Sequence, residues 1–425
     1  MNSTFSVGYG KVQLSGPLPI NTWNSTADVY RDPLYLTCIA FSDGENTALV
    51  MSADVMKVDA TAFEACAKLL GETFGIERKS IMIGAIHSHY APTITATCSW
   101  AQVFFDAAVA VTKEALSDLS PARAFTGKGY TDSLTFVRRY LLPDGTWKFN
   151  PSAADNPVKH ESEADNELRT IRFVREGKKD ILMANYQTHY HGGVGKGVIT
   201  ADIFGDFRAL AEKELDCSFM YCSGASGNLN FFSVIPGERK HHSIEQAAAE
   251  LLRATKEALK AEKETETGKI VTATTVCKGK VRHDPEERIA QAREVRDVGR
   301  DTPEGAALIK KYDFVNKYEP GAILVRATYG ETLDVHFFTV TFGEIAISGV
   351  PYEQFDTNAQ EVRAASPYEM TFTMSMVNES YAYVPSALAD YHRSYEVATG
   401  KFVPGSGTEF ANRQLDLLKA CKREN

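Results

Sequence analysis

The sequence predicts an α/β protein, a mixed β-sheet core flanked by helices. Three observations carry this. Short apolar strand-like runs recur with helix-periodic runs between them along all 425 residues. The turn-rich Ser42-Asp43-Gly44-Glu45-Asn46 joins two apolar runs, so adjacent strands pair antiparallel at least there. Hydrophobic content of 44% against 24% charged residues is ordinary globular composition, enough to bury a large core without disulfide staples.

Leu34 to Phe41 and Thr47 to Ala53 read as the hairpin around that turn. A helix follows, capped by Asp59, with Phe63, Cys66, Ala67, Leu70 and Phe74 on one face and Gly75 ending it. Ser80 to Ile86 reads as a buried strand and Ala101 to Leu116 as a second helix. Thr170 to Val174 and Ile181 to Gln187 are strands, Phe204 to Leu215 a helix, and Cys217 to Cys222 another strand. Ser243 with Gln246 makes a capping box for a helix reaching about Ala261. Strands return from Lys269 to Val276 and from Leu333 to Val350. Glu262 to Gly268 is the most linker-like stretch, and the charged segment 284–317 reads as exposed helices inserted over the core. The expectation is one domain over 1–425.

A net charge of −9 without long basic clusters excludes a nucleic-acid footprint. The seven cysteines are scattered, as expected of free thiols in a reducing compartment. No signal-peptide pattern and no apolar run of membrane-spanning length is present, so a cytoplasmic protein with a small-molecule substrate is expected. Oligomeric state is not legible.

Four of the ten histidines form two His-x-His pairs, His87/His89 and His189/His191, each after an apolar strand. Strand alternation would put residues i and i+2 on one face, so both imidazoles of a pair can converge. Neutral imidazoles suit zinc, and strand C-termini are where α/β proteins place their sites. Asp202 has two readings: an N-cap, or a carboxylate orienting a histidine. The glycine-rich Ser223 to Asn230 offers backbone N–H groups for an anion. Glu353 follows an apolar run as a carboxylate donor. Arg138-Arg139 has two readings, a charged strand edge or a bidentate clamp for a substrate anion. Trp100, Phe104 and Phe105 are either helix core or an apolar entrance.

Taken together, these segments resemble the catalytic domain of the neutral/alkaline non-lysosomal ceramidases. The resemblance runs in order from about residue 7 to 420. Its elements are Val7-Gly8-Tyr9-Gly10, Ser52-Ala53-Asp54, Gly84 to Pro92 around His87-Ser88-His89, and Asn185 to His189. Thr200-Ala201-Asp202, Gly227-Asn228-Leu229-Asn230, Pro351-Tyr352-Glu353 and Asn378 to Pro385 complete it. The resemblance implies a Zn2+ held by His87, His189, Glu353 and Tyr383, with Tyr381 the competing tyrosine. It implies that His89 stands beside the metal, and that Asn230 and Tyr383 occupy catalytic positions. His191 has no family counterpart and is expected to line the pocket, with Arg138 and Arg139 as the other substrate contacts.

The activity implied is amide (N-acyl) hydrolysis by metal-activated water. Asn230 stands where ceramidases carry a serine, Asn228 replaces their aspartate, and no C-terminal β-sandwich is expected, so ceramide itself is not the expected substrate. The alternatives are a zinc hydrolase of an ester, lactone or acetylated sugar, and a non-catalytic binding protein of the same fold.

Overall fold

A computed structural model describes residues 5–23, 25–238, 242–392 and 394–424. The main sheet is built from β1 (Ser6–Leu14), β2 (Leu34–Ser42), β3 (Thr47–Ala53), β4 (Ile81–Ala85), β5 (Ser120–Tyr130), β6 (Glu167–Arg175), β7 (Ile181–Tyr186) and β8 (Ser218–Ser223). Its order is β8-β7-β6-β5-β1-β2-β3-β4, with β9 (Lys263–Thr265) added against β5. The interior pairings are antiparallel, whereas β3/β4 and β7/β8, at the two ends, are parallel. The α/β reading holds, and the strand order was not derivable from the pattern. The linker-like Glu262 to Gly268 contains β9, because pairing with β5 satisfies its backbone and Glu262 ion-pairs with Arg172.

The sheet coils until its ends approach. Ser52 Oγ of β3 donates to the Tyr221 carbonyl of β8 at 2.6 Å, and Tyr9 Oη of β1 reaches the Phe219 carbonyl at 2.9 Å. A second sheet, β10 (Ile270–Lys280), β11 (Thr332–Phe342), β12 (Ile345–Gly349) and β13 (Met370–Met374), again ends in a parallel pair, β12/β13. Phe5, Phe41, Phe173 and Phe342 interlock where the two sheets meet, with centroids 4.8–6.3 Å apart. Asn378 stitches the second sheet to β4: its amide receives Ile83 N–H at 2.7 Å and donates to the Ile81 carbonyl at 2.9 Å.

Helices α1 (Ala60–Phe74), α2 (Ala101–Ser117), α3 (Asp202–Glu214) and α4 (Ile244–Lys260) cover the main sheet. Asp59 caps α1 through Ala62 N–H, Gly75 ends it in the left-handed region, and the Ser243–Gln246 capping box opens α4, all as the sequence pattern indicates. Two helices sit unusually close to their strands. A Cβ on Gly8 of β1 would stand 2.0 Å from the Ala115 carbonyl of α2, and one on Gly129 of β5 would stand 1.9 Å from the Ala254 carbonyl of α4. These glycines are therefore set by close approach of backbone to backbone. Trp100 and Phe104 are fully buried under α2, Trp100 donating to the Pro17 carbonyl, so they are helix core and not an entrance.

The charged insertion forms α5 (Glu286–Val298), α6 (Pro303–Lys311) and α7 (Glu319–Arg326), reaching beyond the expected 317. Thr302 caps α6 with Pro303 in its first turn. Ile289, Ala292, Val295, Phe314 and Ile323 give this group a small core of its own. No helix among the described residues is long and apolar enough to cross a membrane, and all seven cysteines are free.

Because neither helix backbone can retreat without lifting off the sheet, Gly8→Ala and Gly129→Ala are each expected to cost about 1–3 kcal/mol. The measurement is the shift in urea unfolding midpoint at unchanged m.

Candidate active site

Parallel strand pairs at three sheet edges end at the same place. His87 and His89 follow β4, His189 follows β7, Glu353 follows β12, and Tyr383 lies beyond β13. Two-residue strands, Glu353–Gln354 and Tyr383–Val384, pair in parallel so that Glu353 and Tyr383 are register partners.

His87 Nε2 and His89 Nε2 are 3.4 Å apart, and His89 Nε2 is 3.0 Å from His189 Nε2. The His87–His89 convergence does not come from strand alternation. The strand stops at Ala85, and His87 has φ +65°, a left-handed conformation rare outside glycine. That strained turn swings the ring inward, where Nδ1 meets the Met56 carbonyl at 3.1 Å and Nε2 faces the cluster. Residues in sparsely populated backbone regions cost about 1–3 kcal/mol and collect at functional sites. Ala382, directly before Tyr383, is a second such residue at φ +66°.

His189 Nδ1 lies 2.9 Å from Arg138 Nη1. A guanidinium can only donate, so Nδ1 accepts and the ring is fixed edge-on to His89. Burial, then neighbouring positive charge from His87, holds His89 well below the usual histidine pKa; burial and Arg138 do the same for His189. Both rings are neutral near pH 7; on His189, whose Nδ1 accepts from Arg138, the proton sits on Nε2 and leaves when that nitrogen binds a metal. Burial pushes the Glu353 carboxyl up, but His87, Arg138 and the Tyr383 hydroxyl outweigh it, and its pKa lies below the ordinary value. Tyr383 is raised well above 10, first by burial and then by Glu353.

These residues fit a zinc ion. Glu353 Oε2 is buried without a hydrogen-bond partner and stands 3.5 Å from His87 Nε2. An unpaired buried carboxylate oxygen beside three converging imidazole nitrogens, all within 4.8 Å of one another, is a donor set awaiting a cation. Nitrogen and oxygen donors of this kind suit zinc.

The other expected residues are placed differently. Arg138 is spent beneath the site, on Glu396 Oε1 at 2.9 Å, the Gly227 carbonyl at 2.7 Å and His189. Arg139 is fully buried, its guanidinium divided among Glu161, Glu396, Ser394 and the Ala389 carbonyl. The pair is an internal ion network and not a clamp facing solvent. Asn230 is buried, donating to Asn150 Oδ1 and accepting from Phe231 N–H, and neither partner is a histidine or glutamate of the site.

The glycine-rich loop serves the scaffold instead of cradling an anion. Gly227 N–H binds the Gln354 carbonyl, and Asn228 Oδ1 receives Asp356 N–H. His191 stacks on His89 at 5.3 Å. Tyr381 donates to the Asp334 carbonyl at 2.8 Å. Asp202 is neither an N-cap nor bonded to a histidine: it is the first residue of α3, at φ +58°, with Oδ2 unpartnered.

Above the histidines opens a cavity of about 540 Å³, with Trp23, Met56, Lys57 and Lys401 on its walls and Tyr318, Ala322 and Val325 of the inserted helices as its roof. Sequence reasoning missed these residues. Trp23 sits in a short turn and Tyr318 in a charged segment, with no periodicity to mark either; only their aromatic character in polar surroundings was a signal.

This fold has counterparts among solved structures. The structure of a ceramidase complexed with C2 matches with TM-score 0.71 over 99% of this chain and 76% of its own, at 12% identity. The neutral ceramidase from Pseudomonas aeruginosa matches with TM-score 0.71 over 100% of this chain and 75% of its own, at 13% identity. The fold is that of the neutral ceramidases. No family model matches the sequence, and no curated protein does.

Burial pushes the Asp202 carboxyl up to about 8. Its unfolded value is about 4, so the folded state holds the proton more tightly and stability falls as pH rises from about 4 to about 8. Asn tolerates the left-handed backbone and stays neutral. Asp202→Asn is therefore expected to raise Tm more at pH 8 than at pH 5. Arg139→Ala, which strands Glu161 and Glu396, is expected to cost about 3–5 kcal/mol, read as a lowered unfolding midpoint.

Proposed function

We propose that this protein is a zinc-dependent hydrolase that cleaves an amide (N-acyl) bond, ceramidase-like in chemistry but with a substrate other than ceramide. The observation that carries the reading is the unpartnered Glu353 carboxylate oxygen facing three converging imidazole nitrogens at the floor of a cavity. The neutral-ceramidase fold supports the bond type.

His87, His189, Glu353 and Tyr383 are the proposed ligands. When bound, zinc lowers the pKa of water toward about 7 and polarises the scissile carbonyl. The chain's own groups do the rest. The Met56 carbonyl orients His87, and Arg138 orients His189. His89 is neutral and held between the two ligand rings, so its Nε2 is placed to accept a proton from the attacking water and return it to the departing nitrogen. In its protonated form the same ring is a donor to the carbonyl oxygen as that oxygen gains charge. Trp23 meets the His89 ring edge-on, with centroids 6.1 Å apart.

Metal content of the wild type, measured by mass spectrometry without added metal, is expected to be about one zinc per chain and to fall to background in His189→Ala and His87→Ala. His89→Ala is expected to retain zinc and to lose about 10²–10⁴ in kcat. A chromogenic panel pairing N-acyl with O-acyl substrates checks the bond: faster O-acyl turnover replaces the amidase with an esterase. Full metal with no turnover on either arm leaves a binding protein.

A further inference from the structure

The cavity wall carries cations that the protein does not neutralise. Lys57 lies on it, largely withdrawn from water, and among the described residues no hydrogen bond or carboxylate within ion-pair distance is found for its ammonium. Lys401, also lining the cavity, donates among the described residues only to Tyr329 Oη at 3.1 Å and lies over the Tyr329 and Tyr381 rings at 5.1 Å each. The two lysines repel each other, and burial with that repulsion lowers the Lys57 pKa.

Every acid near them is committed elsewhere. Asp59 caps α1 through Ala62 N–H and also receives Thr61 Oγ1. Glu353 faces His87. Glu379, whose carboxyl feels the charge of Lys401, is itself pushed up to about 7 by burial, which leaves it a weak counterion. Arg300, also on the cavity, already has Asp301 at 3.4 Å. In a chain of net charge −9, two unpaired lysines on one cavity wall are a costly arrangement unless something anionic completes it. The lining also includes the apolar Met56, Ala322 and Val325 and the Tyr318 ring.

We propose that the cavity is built for an N-acyl compound that carries an anionic group, a carboxylate in the simplest case, with Lys57 and Lys401 as the pair that receives it. This deepens the amidase reading and rests on it only for the position of the scissile bond. The carboxylate can belong to the departing amine or to the far end of the acyl chain; the chemistry at the lysines is the same, and the ligands below separate the two sources.

The test is calorimetric binding of three ligands to the zinc-loaded protein, with product analysis of the same samples. N-Hexanoylglycine carries its carboxylate on the amine side, adipic acid monobutylamide carries it on the acyl side, and N-hexanoylglycinamide carries none. At least one carboxylate ligand is expected to bind about tenfold or more tighter than the neutral amide, equivalent to about 1.4 kcal/mol. Whichever binds tighter identifies the side. The preference is expected to shrink to less than about threefold in Lys57→Met and in Lys401→Met, each checked for an unchanged melting profile; if one variant does not fold, the other decides. Equal binding of all three ligands overturns the proposal, as does a preference that survives both substitutions. A carboxylate preference without product supports the anion site while removing the amidase reading.

Discussion

The closure of the coiled sheet is the constraint on which the site depends. β4 and β7 stand eighth and second along an eight-strand path, and in a flat sheet His87 and His189 would be tens of ångströms apart at about 4.8 Å per strand. Right-handed twist accumulates over the strands until the ends meet, and Ser52 Oγ to the Tyr221 carbonyl locks the meeting. Small residues make the coiling possible by letting α2 and α4 lie backbone-to-backbone on β1 and β5. The three-histidine cluster is thus a property of sheet curvature before it is a property of any one loop.

Beneath the cluster, fixed charge takes over from the apolar core. Glu396 lies between Arg138 and Arg139, Glu161 holds Arg139 from the other side, and Arg138 passes on to His189. A parallel arrangement, Arg208 gripping both oxygens of Asp54 at 2.9 and 2.6 Å, ties α3 to the end of β3. Buried pairs of this kind add little net stability, because desolvation offsets their attraction, but they fix direction. Here the direction fixed is that of a ring edge.

Much of this was legible in the residues. The α1 cap at Asp59, its stop at Gly75, the capping box at Ser243 and the strand runs are local patterns, and local patterns survive folding. The two His-x-His pairs marked the right neighbourhood, although through a left-handed turn at His87 and not strand alternation. What could not be read is what depends on contacts distant in sequence. Arg138-Arg139 looked available because nothing nearby showed that Glu161 and Glu396, the latter more than 250 residues away, absorb them. Asn230 inherited an expectation from a serine, yet Asn150 and Phe231 occupy its amide. Lys57 and Lys401 lie 344 positions apart and acquire meaning only as two unmatched charges on one wall.

The roof helices have an apolar core of their own, built from residues between Ile289 and Ile323, while every proposed ligand comes from a strand end elsewhere. The proposed metal donors and the roof of the cavity therefore come from separate stretches of the chain. Changes within the roof can reshape what enters without disturbing the nitrogen and oxygen donors below, and the donors can be held constant while the sequence around them drifts. A segment with its own core and one face on the cavity is the place where descendants of this fold can diverge in diet while keeping the same chemistry.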